Sequence, residues 1–169
     1  MEEFLNPKAI LNQLKIREDM VAADFGSGSG GWAISLAKRL KEGRIFAIDI
    51  LEEPLSALKS KARLEKIFNI ETTRRDLEKG SGLRDNSLDL ILATNLLFQI
   101  ENKKNLMREI KRVLKKGGKI LIVDWLPEAP LGPEKGRVSP EEVKETAKEF
   151  NLRLEKEFEA GIYHWGLIL

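Results

Sequence analysis

The sequence predicts an α/β fold of residues 1–169 as one domain, a three-layer sandwich around a seven-stranded, mostly parallel sheet. Two observations predict this fold class. Apolar strand-like segments alternate with segments of helical periodicity, which is typical of parallel strands joined by right-handed crossovers. The last two apolar segments are separated only by Glu159-Ala160-Gly161, a loop of hairpin length. So short a loop joins antiparallel strands, so the last strand is expected to run against the other six.

The first half of the chain is expected to contain three helices and three strands. Pro7–Leu14 is predicted as a short helix, because Asn6 is a favourable cap and proline suits the first turn. Gly31–Lys41 has apolar residues at helical spacing. Glu53–Ile67 is a third helix, with Pro54 in its first turn. The segments predicted as strands are Met20–Phe25, Arg44–Ile50 and Asn69–Arg75.

The second half continues the alternation. Leu88–Thr94 is apolar enough for a strand buried on both faces. Asn102–Lys116 is predicted as a long helix that Gly117-Gly118 ends. Ser139 is predicted to cap a last helix over Pro140–Phe150. The remaining predicted strands are Lys119–Asp124, Leu152–Phe158 and Tyr163–Leu169.

Composition excludes several classes of function. The chain has no cysteine and one histidine, so neither a thiolate metal site nor a histidine-based metal centre is expected. It has no apolar run of 18 residues, and Met1–Glu3 is acidic rather than the start of an apolar leader, so we expect a cytoplasmic protein. A charged fraction of 33% without cysteine favours a thermophilic source.

The charge pattern disfavours nucleic acid as a partner. The net charge is only +2, so no strong field attracts a polyanion. One predicted helix carries a basic stripe, which is either an RNA-binding surface or, as we favour, a solvated outer face. The stripe consists of Lys104, Arg108, Lys111 and Lys115.

The most informative segment is VAADFGSGSGGW, residues 21–32, in which a glycine-rich loop follows the first strand. Ligands of parallel sheets bind at the carboxyl ends of the strands, and glycines let them contact the backbone. Asp49 ends the next strand, 23 residues after Gly26, where a carboxylate accepts hydrogen bonds from ribose hydroxyls. The loop therefore predicts a ligand that carries a ribose, and with it an adenine.

Several ligands fit this loop at first. A P-loop is excluded because no Lys-Ser/Thr pair follows the glycines. Gly26, Gly28 and Gly31 match the dinucleotide spacing, so NAD remains open, as does a plain strand–helix turn without a ligand. Asp24 would repel a pyrophosphate and favour a cationic group. Asp76, after the third strand, is able to accept a hydrogen bond from an adenine amino group.

These motifs give the chain a clear resemblance to a known family. It resembles class I S-adenosylmethionine-dependent methyltransferases, which have a Rossmann-like fold, and within them the branch of ubiquinone/menaquinone-biosynthesis methyltransferases. The resemblance implies S-adenosyl-L-methionine as cofactor, S-adenosyl-L-homocysteine as product and a small-molecule methyl acceptor. The segments that carry it are ADFGSGSG, FAIDI, RRDL, NSLDLILATNLLF, EIKRVLKKGGKILIVDW and the final hairpin.

The resemblance also implies roles for individual residues. Asp24 would lie near the amino group of the cofactor, Asp49 would hold its ribose and Asp76 would meet its adenine. Many relatives carry a histidine near position 98 or 99, where this chain has Phe98 and Gln99, so no base is implied there. The implied cofactor-binding residues are Asp24, Gly26, Ser27, Gly28, Gly30, Asp49, Ile50, Asp76, Leu77, Thr94, Asn95 and Phe98.

Catalytic residues are less well defined. Methyl transfer from a sulfonium needs alignment above all, and an oxygen or thiol acceptor also needs a base. The candidates near the strand ends are His164, Asp124, Tyr163, Glu128 and Asn95.

The acceptor is expected at Trp125–Pro140, a segment with four of the six prolines, although a proline-stiffened linker is the alternative. There Trp125 would form a wall and Arg137 would bind an anionic group. If this segment plays no part, the acceptor site is expected near Phe4–Leu14.

Other functions remain open from the sequence. The chain is also similar at its start to some tRNA methyltransferases, although their additional domains are missing from it. It is alternatively a protein that binds S-adenosylmethionine without transferring methyl, or an NAD enzyme, which Asp24 and Asp76 disfavour. The sequence leaves open whether the protein is a monomer or a homodimer.

Overall fold

The computed structural model describes residues 4–169, so the acidic residues at the start of the chain, within 1–3, lie outside the described part. One sheet contains seven strands in the order β3-β2-β1-β4-β5-β7-β6. Strand β7 runs antiparallel to both neighbours, β5 and β6, whereas all other pairs are parallel. The predicted fold class, including the reversed last strand, is confirmed. The strands are β1 (Val21–Phe25), β2 (Arg44–Asp49), β3 (Ile70–Arg74), β4 (Leu88–Thr94), β5 (Leu114–Trp125), β6 (Lys156–Glu159) and β7 (His164–Ile168).

Five α-helices and one short 3₁₀ helix connect these strands within the described residues. The predicted caps are confirmed: the Asn6 side chain accepts a hydrogen bond from the Ala9 amide, and Ser139 forms a reciprocal capping box with Glu142. The 3₁₀ helix over Leu97–Gln99, directly after β4, was not predicted from the sequence. The α-helices are α1 (Pro7–Leu11), α2 (Gly31–Ala37), α3 (Glu52–Leu64), α4 (Lys103–Val113) and α5 (Pro140–Glu149).

The boundary between α4 and β5 differs from the prediction. The helix ends at Val113, and Leu114 already pairs with Leu88 in the sheet. The pairing then shifts, so that Leu90 pairs with Lys119 and the intervening residues of β5 form a bulge. Gly117, with φ of +79°, therefore serves the bulge and does not end the helix. Most other elements are shorter than predicted by a few residues, as helix and strand ends commonly are.

Apolar side chains fill both faces of the sheet. Helices α4 and α5 cover one face, where Leu106 and Ile110 pack in the same cluster as Ile91. Helices α1, α2 and α3 cover the other face, where Leu11 and Leu36 are fully buried. The sheet is thus the middle layer of three, with its carboxyl edge free to carry a site. No helix among residues 4–169 has the length and apolarity that crossing a membrane requires.

Candidate functional site

The glycine-rich loop lies at the carboxyl edge of the sheet, between β1 and the start of α2. The backbone amides of Gly26 and Ser27 both donate hydrogen bonds to the carbonyl of Ile48, at 2.8 and 3.0 Å. These bonds tie the loop to β2. Gly30, with φ of +91°, forms the N-cap of α2. The loop is therefore held in one conformation by its neighbours.

The glycines of this loop face different surroundings. A Cβ on Gly26 would lie 2.7 Å from the side chain of Leu96, and one on Gly30 would lie 2.0 Å from that of Leu58. A Cβ on Gly28 would meet nothing within 4 Å. Gly26 and Gly30 are thus required by packing inside the protein, whereas Gly28 borders open space. Leu96 and Leu58 support the loop, and the sequence alone gave no signal for that role.

Asp49 orients this loop from the end of β2. Its Oδ2 accepts a hydrogen bond from the Gly28 amide at 2.8 Å, and its Oδ1 accepts one from the Leu51 amide at 3.0 Å. A carboxylate has about four acceptor positions, so these two bonds leave capacity for ligand hydroxyls. The spacing in the sequence correctly predicted that Asp49 lies beside the glycine-rich loop.

Asp24, one residue before the end of β1, is the most unusual polar group of this region. It is fully buried, and neither carboxylate oxygen has a hydrogen-bond partner. Burial, followed by the charge of Asp49, raises the pKa of Asp24 to about 7, although the nearby Ala33 amide lowers it in part. A buried carboxylate without a partner is costly, and a cationic ligand group would relieve that cost.

The remaining predicted cofactor residues continue along the same edge. Ile50 is 52% exposed beside Asp49, and Asp76 follows β3, where its Oδ1 accepts a hydrogen bond from the Glu78 amide. Leu77 is only 5% exposed and packs into the core under α4, which leaves little of its surface for a ligand. Ser27 is also buried, and its amide donates a hydrogen bond to the Ile48 carbonyl of β2.

The end of β4 supplies the next group of predicted residues. Thr94 is buried, and Asn95 has a left-handed backbone with φ of +50°. The Asn95 amide donates to the Val123 carbonyl at 2.8 Å, while its side-chain oxygen is buried without a partner. Phe98 lies in the 3₁₀ helix that follows. This turn joins the cofactor side of the edge to β5.

Asp124, a candidate base, holds that turn in place. Its Oδ2 accepts a hydrogen bond from the Leu97 amide and its Oδ1 accepts one from the Trp125 amide, both at 2.8 Å. Burial raises the pKa of the Asp124 carboxyl, and these amides lower it in part. Asp124 therefore caps the 3₁₀ helix, and these contacts indicate a structural role.

His164 and Tyr163, the other candidate bases, lie in an aromatic cluster at the start of β7. The His164 ring is fully buried, 4.2 Å from the Trp125 ring, and neither ring nitrogen has a partner. Burial lowers the pKa of His164 to about 4, so the imidazole is neutral at pH 7 and a weak base. Phe4 packs against Trp125, Tyr163 and His164.

Arg137 is hydrogen-bonded to the backbone of its own loop. Its guanidinium donates hydrogen bonds to carbonyls of its own loop, at 2.5 to 3.3 Å. These carbonyls engage most of its N–H groups, which supports a structural role for Arg137, and its binding of an anionic acceptor stays a prediction. The accepting carbonyls belong to Leu126, Pro127, Ala129, Leu131 and Pro133.

The predicted basic stripe is partly neutralised by neighbouring side chains, and its last member, Lys115, lies in β5 beyond the end of α4. Lys104 pairs with Glu149 at 2.7 Å, and Lys115 pairs with Asp89 at 3.1 Å. Arg108 donates a hydrogen bond to the side chain of Asn105. These partners favour the interpretation of the basic stripe as a solvated outer face and disfavour its interpretation as an RNA-binding surface.

Comparisons with known proteins agree with the geometry of the edge. Residues 23–122 match the family model described as a methyltransferase domain. The chain is 31% identical over 112 residues to the ubiquinone/menaquinone biosynthesis C-methyltransferase UbiE of Hydrogenovibrio crunogenus, covering 65% of this chain and 44% of that protein. It is 26% identical over 126 residues to a demethylmenaquinone methyltransferase of Lactiplantibacillus plantarum, covering 73% of this chain and 53% of that one.

A solved structure is similar over almost the whole chain. The crystal structure of a SAM-dependent methyltransferase from Aquifex aeolicus superimposes with a TM-score of 0.89 at 26% identity, covering 98% of this chain and 89% of that chain. In contrast, the chain spans about half the length of the curated relatives it matches.

Proposed function

Because the chain belongs to the methyltransferase domain family, we propose that it is an S-adenosylmethionine-dependent methyltransferase that acts on a small-molecule acceptor. One observation carries the proposal. Asp24 presents a buried carboxyl without a partner beside a loop whose Gly28 borders open space and is held by Asp49. A ligand that is cationic at one end and carries a ribose suits both features, and S-adenosylmethionine is such a ligand.

The residues along the edge divide the binding work by their chemistry. Asp24 would neutralise a cationic group, Asp49 would accept hydrogen bonds from the ribose hydroxyls, and Asp76 would accept one from the adenine amino group. Ile50, which is exposed beside Asp49, would cover one face of the adenine. Thr94, Asn95 and Phe98 would lie under the sulfonium, and Leu77 would support the adenine site from the core.

The chemistry places modest demands on the chain itself. When bound, S-adenosylmethionine supplies an activated methyl group for in-line displacement. The protein must then align the acceptor and exclude water. The weak basicity of His164 and the capping role of Asp124 favour an acceptor whose nucleophile needs little help from a base.

A small-molecule acceptor is favoured over RNA. The two curated relatives are named for ubiquinone or menaquinone synthesis, hence for small molecules. The pairing of Lys104 and Lys115 with acidic side chains also makes the basic stripe a weaker site for a polyanion. A cytoplasmic location and a thermophilic source stay predictions from composition.

Calorimetry with S-adenosylmethionine, S-adenosylhomocysteine and NAD tests the proposal. We expect both sulfur ligands to bind and NAD to bind much more weakly. Asp49→Ala should cost about 2–4 kcal/mol of affinity for S-adenosylhomocysteine, because charge-assisted hydrogen bonds are lost.

The matched control is Asp19→Ala, because Asp19 is an exposed carboxylate paired with Arg17 in the turn before β1, away from the carboxyl edge. This variant should bind S-adenosylhomocysteine as the wild type does. Tighter binding of NAD than of S-adenosylhomocysteine, or equal losses in the two variants, would contradict the proposal.

A further inference from the structure

Four aromatic side chains meet at the carboxyl edge, beyond the residues assigned to the cofactor. The Phe4 ring contacts three other rings edge-on, with centroid distances of 5.8 Å to Trp125, 5.5 Å to Tyr163 and 5.7 Å to His164. Trp125 and His164 lie directly opposite each other in the pairing of β5 with β7. These four residues are called the aromatic box below.

The aromatic box lies on the same face of the sheet as Asp24. Side chains alternate along a strand, so Asp24 shares a face with Ala22, and Trp125 shares one with Val123. Ala22 and Val123 belong to one core cluster, the one under α1, α2 and α3. Since neighbouring strands are about 4.8 Å apart, His164 on β7 lies about 10 Å along the sheet from β4. A ring in the box would therefore lie next to a ligand centred over β4.

His164 gives the box an unsatisfied polar group. A neutral imidazole has one donor and one acceptor nitrogen, and both are buried here without a partner. Buried polar groups almost always have partners, so an unpartnered pair of nitrogens points to a ligand that supplies them. The His164 ring contacts the rings of Trp125 and Phe4, neither of which offers its nitrogens a hydrogen bond.

Of the four rings in the box, the Phe4 ring is the one that a ligand can displace most easily. It is 49% exposed, whereas His164 is fully buried behind it. It precedes α1, and so it belongs to neither strand that carries the other rings. Removing the Phe4 ring would open the imidazole to the carboxyl edge.

We propose that Trp125, Tyr163 and His164 form the acceptor pocket, and that the Phe4 ring takes the place that the acceptor ring would take. The acceptor is then an uncharged, planar aromatic compound whose O–H or N–H hydrogen-bonds to His164. This inference rests on the proposed methyltransferase function, because it assigns the second ligand of that same site. The low pKa of His164 is consistent with it, since a neutral imidazole offers hydrogen bonds but no charge.

The single histidine makes the proposal directly measurable. The imidazole ¹⁵N resonances of His164 are recorded by NMR with S-adenosylhomocysteine present, and 2-naphthol is added as the probe. We expect 2-naphthol to shift a ring nitrogen through the new hydrogen bond. The probe 2-methylnaphthalene, which lacks the hydroxyl, should leave the nitrogens unchanged.

Variants of two phenylalanines test the place of Phe4. Phe4→Ala should raise the affinity for 2-naphthol by about fivefold or more, because the probe no longer competes with the ring. Phe68→Ala is the matched control, since Phe68 is 84% exposed and lies outside the box. An equal change in both variants, or a His164 ring that does not respond to 2-naphthol in Phe4→Ala, would overturn the proposal.

Binding of S-adenosylhomocysteine, measured by calorimetry on the same samples, separates the two proposals. Binding of S-adenosylhomocysteine without any response of His164 to 2-naphthol rejects the acceptor pocket and leaves the proposed function standing. Displacement of 2-naphthol by S-adenosylhomocysteine places the probe in the cofactor site and also rejects the pocket. A failure to bind S-adenosylhomocysteine rejects the proposed function.

Discussion

The two halves of the carboxyl edge differ in whether their polar side chains have hydrogen-bond partners within the protein. On the side of β1 and β2, Asp24 is buried without a partner and Gly28 borders open space. On the side of β5 and β7, Asp124 accepts backbone amides and Arg137 donates to backbone carbonyls. The first half keeps binding capacity for something outside the protein. The second half uses its charged groups to hold its own loops.

This contrast separates binding groups from structural ones better than residue type does. Asp24 and Asp124 are both buried aspartates with a raised pKa, and burial is the main cause in each case. Only Asp24 lacks hydrogen-bond partners, so only Asp24 needs a ligand to offset its burial. His164 is the exception in the second half, which is why the acceptor pocket is assigned to it.

The largest expected effect comes from Asp24→Asn. The pKa of Asp24 rises from its ordinary value of 3.8 to about 7 in the folded chain, so folding disfavours the charged form of its carboxyl. Wild-type stability therefore falls as pH rises from about 4 to about 7, and the full penalty is present above that range. At pH 8 the variant should be more stable by about 2–4 kcal/mol, and it should bind S-adenosylmethionine more weakly.

Urea denaturation at pH 4 and pH 8 measures this effect. Asp89→Asn is the control, because Asp89 accepts a hydrogen bond from the Val21 amide and pairs with Lys115, so its loss should destabilise the protein at pH 8. A gain in Asp24→Asn that is the same at both pH values would show that the Asp24 charge is not its cause.

Within the first half, the glycines should differ among themselves. Gly30→Ala should destabilise the fold by about 2–4 kcal/mol, because its Cβ would overlap Leu58 and its backbone is left-handed. Gly28→Ala should cost only about 1 kcal/mol of stability, since its Cβ meets no protein atom. Its main effect should be weaker binding of S-adenosylhomocysteine. Denaturation and calorimetry on both variants check this, and equal stability losses would argue against the assigned surroundings.

The half of the edge at β1 and β2 was predictable because its binding residues lie close together in the sequence. The glycine loop is continuous from Gly26, and the spacing to Asp49 follows from one strand–helix–strand unit. The structure adds how the parts join, through the bond from the Gly28 amide to Asp49. Nothing in the sequence indicated that Gly26 and Gly30 are fixed by Leu96 and Leu58, because those contacts join residues far apart in the chain.

The half of the edge at β5 and β7 was predictable only in part, because the contacts that decide the roles of its residues leave no pattern in the sequence. Arg137 seemed a free cation because its carbonyl partners carry no sequence signal, since every residue has a carbonyl. For Asp124 the sequence left open whether it is a base or a cap, because the 3₁₀ helix whose Leu97 amide it binds was not predicted. Gly117-Gly118 looked like a helix end because glycine suits both helix ends and bulges, and only the pairing of Leu114 with Leu88 decides between them.

His164, the unpartnered polar group of the second half, should make the stability of the protein depend on pH. The pKa of His164 is about 4 when folded against an ordinary 6.5, so protonation opposes folding. Wild-type stability should fall as pH drops from about 6.5 to about 4. His164→Leu should remove this loss, so at pH 4 it should exceed the wild type by about 1–3 kcal/mol, with a difference below about 1 kcal/mol at pH 7.

Thermal unfolding in matched buffers at pH 4 and pH 7 checks the effect of His164. The control is Tyr163→Phe, which removes one hydroxyl from the neighbouring ring and keeps the imidazole of His164. A stability difference between His164→Leu and the wild type that does not grow toward pH 4 would mean that the imidazole already has a partner.

The smallest effect is expected from Arg137→Ala, which tests whether the loop after β5 contributes to stability alone and not to cofactor binding. Arg137→Ala removes the donors that hold the carbonyls from Leu126 to Pro133, so it should cost about 1–2 kcal/mol of stability. Binding of S-adenosylhomocysteine should stay within about 0.5 kcal/mol of wild type, because the cofactor residues lie on the other half of the edge. Lys135→Ala removes an exposed cation from the same loop and should change neither quantity. Urea denaturation and calorimetry measure both, and a large loss of cofactor affinity in Arg137→Ala alone would mean that this loop covers the cofactor and that the two halves act as one site.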